Sequence, residues 1–137
     1  MKNILFNPGK HKQLPSIALL VLRASFGLMM LSHGWPKLIN FGSKAATFSD
    51  PLHIGSQLSL GMVVFAEFFC SILVVIGLGT RWATFPIMVT MAVASFVIHG
   101  KDPFSDRELS MLYLSAFTVI MILGSGSYSF DKAINGK

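Results

Sequence analysis

The sequence predicts an all-α fold: a four-transmembrane-helix bundle, antiparallel and up-down, with both termini in the cytoplasm. Three observations carry this. Charge is sparse, 12% of 137 residues, where soluble domains carry roughly a quarter. The apolar residues gather in four stretches, 16–34, 58–78, 82–98 and 108–124. At 1.5 Å per residue, spans of about 17 to 21 residues cover about 26 to 32 Å, the thickness of a hydrocarbon core. Lys and Arg, finally, lie at the edges of the stretches. Lys2, Lys10, Lys12, Arg81, Lys132 and Lys137 fall on the side of the N-terminus, and Lys37, Lys44, Lys101 and Arg107 on the other. That balance puts both termini inside by the positive-inside rule. The net charge of +5 follows no single face, which excludes a nucleic-acid partner and leaves the lipid bilayer.

Residues 1–14 read as a basic cytoplasmic tail, and Pro15 suits the first turn of a helix, where its missing N–H costs nothing. Fourteen residues before the apolar run, Arg23 within it and three later spans all speak against a cleaved signal peptide. The first span is expected to stop at His33-Gly34-Trp35-Pro36, with Gly34 as a left-handed cap and Pro36 as a breaker. The connection 35–57 mixes apolar, basic and small residues and is expected to lie along the interface; loops of that length often carry function.

The second span holds thirteen Leu, Ile, Phe and Val residues from Leu58 to Leu78 around one carboxylate, Glu67. An ionised group at a helix centre costs about 2.5 to 3.5 kcal/mol, and each such apolar residue returns about 0.3 to 0.6. The helix therefore inserts despite Glu67. Gly79-Thr80-Arg81 is so short a link that spans two and three must be antiparallel neighbours. Ser105-Asp106-Arg107-Glu108 fits a capping box, Ser105 and Glu108 closing the start of the fourth span, whose apolar run is short. Gly124-Ser125-Gly126-Ser127 reads as a helix stop and turn rather than a phosphate cradle, since no strand precedes it. Trp35, Trp82, Tyr113 and Tyr128 are expected at interfacial levels, and residues 135–137 form a C-terminal tail.

Two charges stand inside spans. Measured from a shared edge, Arg23 lies about 10 Å deep and Glu67 about 16 Å, an offset an Arg side chain can bridge. The pair is expected to meet inside the bundle, as a structural lock or as the base of a ligand or proton site. His33 and His99 end two parallel spans, both followed by Gly, a faint internal echo. Capping explains both histidines; a polar headgroup or quinone site with Lys37 is the second reading and haem ligation a third. Cys70, the only cysteine, reads as a small buried apolar residue, with no redox pair and no disulfide. No metal site is expected.

The stretches LLVLRASFGLMMLSHGWPKL (19–38), Glu67, GLGTRWA (77–83), Glu108 and GSGSYSFD (124–131) together resemble the DoxX family of small four-helix bacterial membrane proteins. The likeness covers 15–134. It implies family positions at Arg23, His33, Gly34, Lys37, Glu67, Thr80, Arg81, Glu108, Tyr128, Ser129 and Asp131, and a bacterial inner-membrane location. The family takes its name from a subunit of a thiosulfate:quinone oxidoreductase, and other members are linked to thiol or catechol stress. The resemblance thus implies a quinone-interacting or anchoring subunit of a membrane oxidoreductase assembly in thiol or oxidative stress or sulfur metabolism, with a soluble redox partner subunit. The alternative is a non-enzymatic scaffold or small permease-like bundle. At 15.0 kDa, a transporter of this size calls for a homo-oligomer, and Gly27, Gly61 and Gly77 suit close helix approach. No cofactor is identifiable from sequence, with quinone the candidate.

Overall fold

The computed structural model describes residues 13–135. Most of the tails read at 1–14 and 135–137 lies outside the described residues. The elements are α1 (Leu14–Ile39), α2 (Phe41–Lys44), α3 (Ser56–Ile76), α4 (Thr80–Ile98), α5 (Phe104–Leu123) and α6 (Phe130–Asn135), and no strand occurs among the described residues. By length and composition α1, α3 and α4 can each cross a membrane.

The four long helices close a ring in which α1 packs on α3 and α5, and α4 packs on the same two. Gly77 (φ 76°) ends α3 in the left-handed region, with Leu78 N–H donating to Leu73 C=O at 2.9 Å and Gly77 N–H to Val74 C=O at 3.2 Å. This is a Schellman stop, and it turns the chain directly into α4. Cross-contacts at both ends make all neighbours antiparallel. Arg81 reaches Ile122 and Ser95 reaches Ser110 between α4 and α5, while Ser16 meets Ser127 and His33 meets Tyr113 between α1 and the α5 region. Met30, Ala66, Cys70, Val74, Ile87, Met91, Phe117 and Ile120 fill the axis. Leu28, Phe65, Phe69, Phe85, Val97 and Ile122 point outward, a distribution that suits lipid as the surrounding solvent.

Several sequence expectations are corrected here. The first span does not stop at Gly34: α1 continues to Ile39 with Pro36 inside its last turn, and Asn40 caps it, its side chain donating to Pro36 C=O at 2.8 Å. Gly34 is a contact point instead of a cap. A Cβ there would sit 2.6 Å from the carbonyl carbon of Glu67, so the missing side chain lets α1 and α3 touch backbone to backbone. The capping box also fails. Pro103 precedes α5 and no side chain caps it, Ser105 instead lies within the first turn, 3.5 Å from Asp106, and Glu108 is exposed. The helix begins a turn earlier than the apolar pattern, directly after Pro103, whose fixed φ of −54° leads into it. Tyr113 is buried in the bundle against Phe26 and Phe117, not interfacial.

Candidate functional site

The register of α1 on α3 decides which charges meet. Gly34 lies on Glu67, Gly27 on Ser71 and Val75, and Arg23 on Gly77. Each pair sums to about 100, so the residue across from Arg23 is ten positions beyond Glu67, or about 15 Å along the helix. The expected Arg23–Glu67 pair is therefore not formed. Both side chains are buried, at 1% and 4% exposure, but at opposite ends of the bundle. The sequence estimate failed because it set the start of α1 level with the end of α3, whereas α1 extends past that end to meet the C-terminal segment.

Arg23 is held by that segment. Its Nη1 donates to Ser125 C=O and its Nη2 to Tyr128 C=O, the latter at 2.7 Å. Asp131 completes the clasp. Its carboxylate accepts from Gly79 N–H at 2.8 Å and from the N–H and hydroxyl of Thr80 at 3.2 and 3.3 Å, capping α4, while its own N–H donates to Gly77 C=O at 2.9 Å. Partial burial would raise the Asp131 carboxyl, but these donors and the Ser125 hydroxyl outweigh it and hold the group below its ordinary range. Arg23, Thr80, Ser125, Tyr128 and Asp131 thus form one structural lock. Its key ligands are backbone carbonyls, which no residue pattern announces.

Glu67 is paired at the other end with Lys37, one helical turn beyond Gly34. The ion pair stands between two cavities. One, of about 200 Å³, lies between α3 and α4 and is mainly apolar, with Met62, Val63, Val89, Val93 and Ile98 among its walls. The other, of about 180 Å³, is the more polar of the two and gathers His33, His99, Asp106, Ser110 and Tyr113 beside Lys37 and Glu67, with Met30, Met91 and Leu109 completing its wall. His33 meets the Tyr113 ring edge-on at 5.7 Å between centroids, and His99 Nδ1 lies 2.8 Å from Asp102. The sequence-predicted trio His33, Lys37 and His99 is brought together, with Glu67 in the place assigned to a separate lock. Ser105 and Glu108 stay outside it.

Backbone irregularity surrounds this site. Residues Phe65–Cys70 of α3 and Val93–Ile98 of α4 are wound as π turns, a rare form that occurs mostly as single-turn insertions in α-helices, frequently at functional sites. Glu67 sits in the first, and Val93, Ala94 and Ile98 of the second line the apolar cavity. The 40–55 connection runs over the cavity, with Phe48, Pro51, Leu52 and Ile54 in its wall. Asp50 fastens that cover, accepting from Ile54 N–H at 2.9 Å, Gly55 N–H at 2.8 Å and the Ser59 hydroxyl at 2.8 Å. Sequence reading missed Asp50 and Tyr113. An Asp five residues before a Gly-Ser helix start was a usable signal for the first, and the second had none.

Chemically, the site offers an ammonium donor and a carboxylate acceptor side by side, with an oily chamber on one hand and titratable side chains on the other. Such an arrangement can orient a small polar head whose body prefers hydrocarbon.

Comparison with known proteins agrees with the architecture. The DoxX family profile matches residues 18–100. The chain is similar to an uncharacterised protein of Haemophilus influenzae, 33% identical over 123 residues that cover 81% of this chain and 86% of that one. It is also similar to the inner membrane protein YqjF of Escherichia coli, 24% identical over 133 residues that cover 92% and 98%. No solved structure matches. With the profile spanning more than half its length and the Haemophilus relative matched over most of both chains, this apolar helical bundle is a membrane protein that belongs to the DoxX family.

Proposed function

We propose that the protein is a quinone-binding membrane subunit, with α5 as its fourth span, both termini in the cytoplasm and the bacterial inner membrane as its site. The observation that carries this reading is the Lys37–Glu67 pair seated between an apolar cavity and a more polar one. A quinone head presents carbonyl acceptors to the Lys37 ammonium, and the reduced hydroxyls donate to Glu67. The apolar chamber between α3 and α4 takes the ring substituents and the start of the tail. His33, His99 and Tyr113 border the polar side. A soluble partner would supply electrons, since Cys70 is the only thiol in the chain and the site residues carry no redox chemistry. Assembly as a homo-oligomer is part of the same reading. The similarity to YqjF, an inner membrane protein, supports the inner-membrane location.

The test is direct. Protein purified in mild detergent is extracted and its quinone measured by ultraviolet absorbance before and after borohydride reduction. The expected result is retained quinone in the wild type and about a tenfold loss in Lys37→Met, a loss equivalent to about 1.4 kcal/mol. Wild-type protein with no extractable quinone, and no uptake of an added short-chain quinone, rejects the reading.

A further inference from the structure

The end of the bundle opposite the Lys37–Glu67 site holds a third cavity, about 420 Å³, lined by residues of the α3–α4 turn, the start of α4 and the 124–131 segment. Three observations there belong to no function described above. Arg81 uses a single contact, Nη2 donating to Ile122 C=O at 3.1 Å, and its other guanidinium N–H groups have no partner among the described residues. The backbone amides of Ser125 and Gly126, both in the cavity wall, also make no hydrogen bond among the described residues. Trp82, beside Arg81 in the chain and in the same wall, is 85% exposed.

We propose that this cavity binds the phosphate group of an anionic membrane phospholipid. A planar guanidinium with free donors matches phosphate oxygens in a two-point fork. Unbonded amides on a glycine-rich turn are the usual second source of phosphate donors. Gly124 and Gly126 both have positive φ, 79° and 75°, and a Cβ on Gly124 would come within 3.4 Å of Arg81 Nε, so the turn wraps closely on the guanidinium without a side chain in the way. The one carboxylate in the wall, Asp131, is already engaged by Gly79 and Thr80. The cavity lies level with the end of α3 and the start of α4, both membrane-crossing candidates. That is the depth of the headgroups, where an exposed Trp also settles. The stretch that sequence reading took for a plain helix stop is then one wall of a lipid site.

The full chain is reconstituted in nanodiscs of phosphatidylcholine with a minor fraction of phosphatidylglycerol, and released lipid is counted by native mass spectrometry. Wild type should retain phosphatidylglycerol over phosphatidylcholine by about tenfold. Arg81→Gln should lose that preference, and Arg81→Lys, which keeps the charge but not the fork, should keep only part of it. Thermal unfolding of Arg81→Gln in phosphatidylcholine alone, close to wild type, separates lipid loss from misfolding; if that variant fails to fold, Trp82→Gln is the second readout and should lower the preference for phosphatidylglycerol. Equal retention of the two lipids by wild type, or an unchanged preference in Arg81→Gln, overturns the proposal. Displacement of the lipid by millimolar inorganic phosphate assigns the cavity to free phosphate and overturns the lipid assignment.

Discussion

At the residue scale, the chemistry of the bundle rests on two buried charges with different kinds of partner. Glu67 has an ionic partner, so removing one member leaves the other exposed to a low-dielectric surround. Lys37→Met strands a carboxylate that is 4% exposed, and the loss expected for breaking such a pair is about 3 kcal/mol, the lower end of the range because the Lys37 side chain is 26% exposed. The Lys37→Met/Glu67→Leu double variant should unfold at a higher temperature than either single one. Thermal unfolding in detergent checks this, and additive losses would show the two residues to be independent. Asp131 supplies a second test. Its carboxyl is held below the ordinary value of 3.8 by the donors of Gly79 and Thr80. A depressed group stabilises the fold above its unfolded value and loses that contribution as pH falls through the folded one. Acid below about pH 4 should therefore release the C-terminal segment. Asp131→Asn should flatten this dependence, as read by protease cleavage after residue 124 across a pH series.

At the element scale, the four long helices were legible, three of them long and apolar enough to cross a membrane, because apolar pattern and length announce a helix without reference to its neighbours. Their lateral register was not. Register is set by Gly34 and Gly27, whose role is the absence of a side chain, Gly34 against the Glu67 backbone and Gly27 against the Val75 side chain. In the sequence these residues look the same as a cap or a flexible spacer. Reading Gly34 as a cap made Pro36 a stop, and without the register the start of α1 was set level with the end of α3, which misplaced Arg23. The π turns were equally hidden, since a single extra residue per turn leaves the apolar pattern nearly unchanged. Gly34→Ala tests the register directly. Its Cβ would meet Glu67 backbone at 2.6 Å, and backbone cannot rotate away as a side chain can. The expected cost is about 1 to 3 kcal/mol. It should be accompanied by loss of the Lys37–Glu67 contact and of ligand retention. Gly61, where an added Cβ meets nothing, should tolerate Ala with both properties intact.

At the scale of the whole molecule, the two ends have divided the work. One end is tied by backbone ligands: Arg23 crosses from α1 to the carbonyls of Ser125 and Tyr128, and Asp131 crosses back to α4. The other end is left with cavities, π turns and a loop cover. A bundle of four helices needs a rigid end if the opposite one is to hold irregular backbone without coming apart, and here the rigidity comes from the chain after the last long helix. Deleting residues 125–137 should therefore be far worse than its distance from the Lys37–Glu67 site implies. It removes the two carbonyl ligands and leaves a guanidinium that is 1% exposed with no compensating group. Ser125→Ala with Tyr128→Ala keeps both carbonyls and should accumulate in membranes close to wild type. Adding Arg23→Leu to the deletion removes the stranded charge and should recover part of the lost protein, measured as the membrane-extracted fraction and its unfolding temperature. A deletion that accumulates normally with Arg23 present would place the lock elsewhere in the bundle.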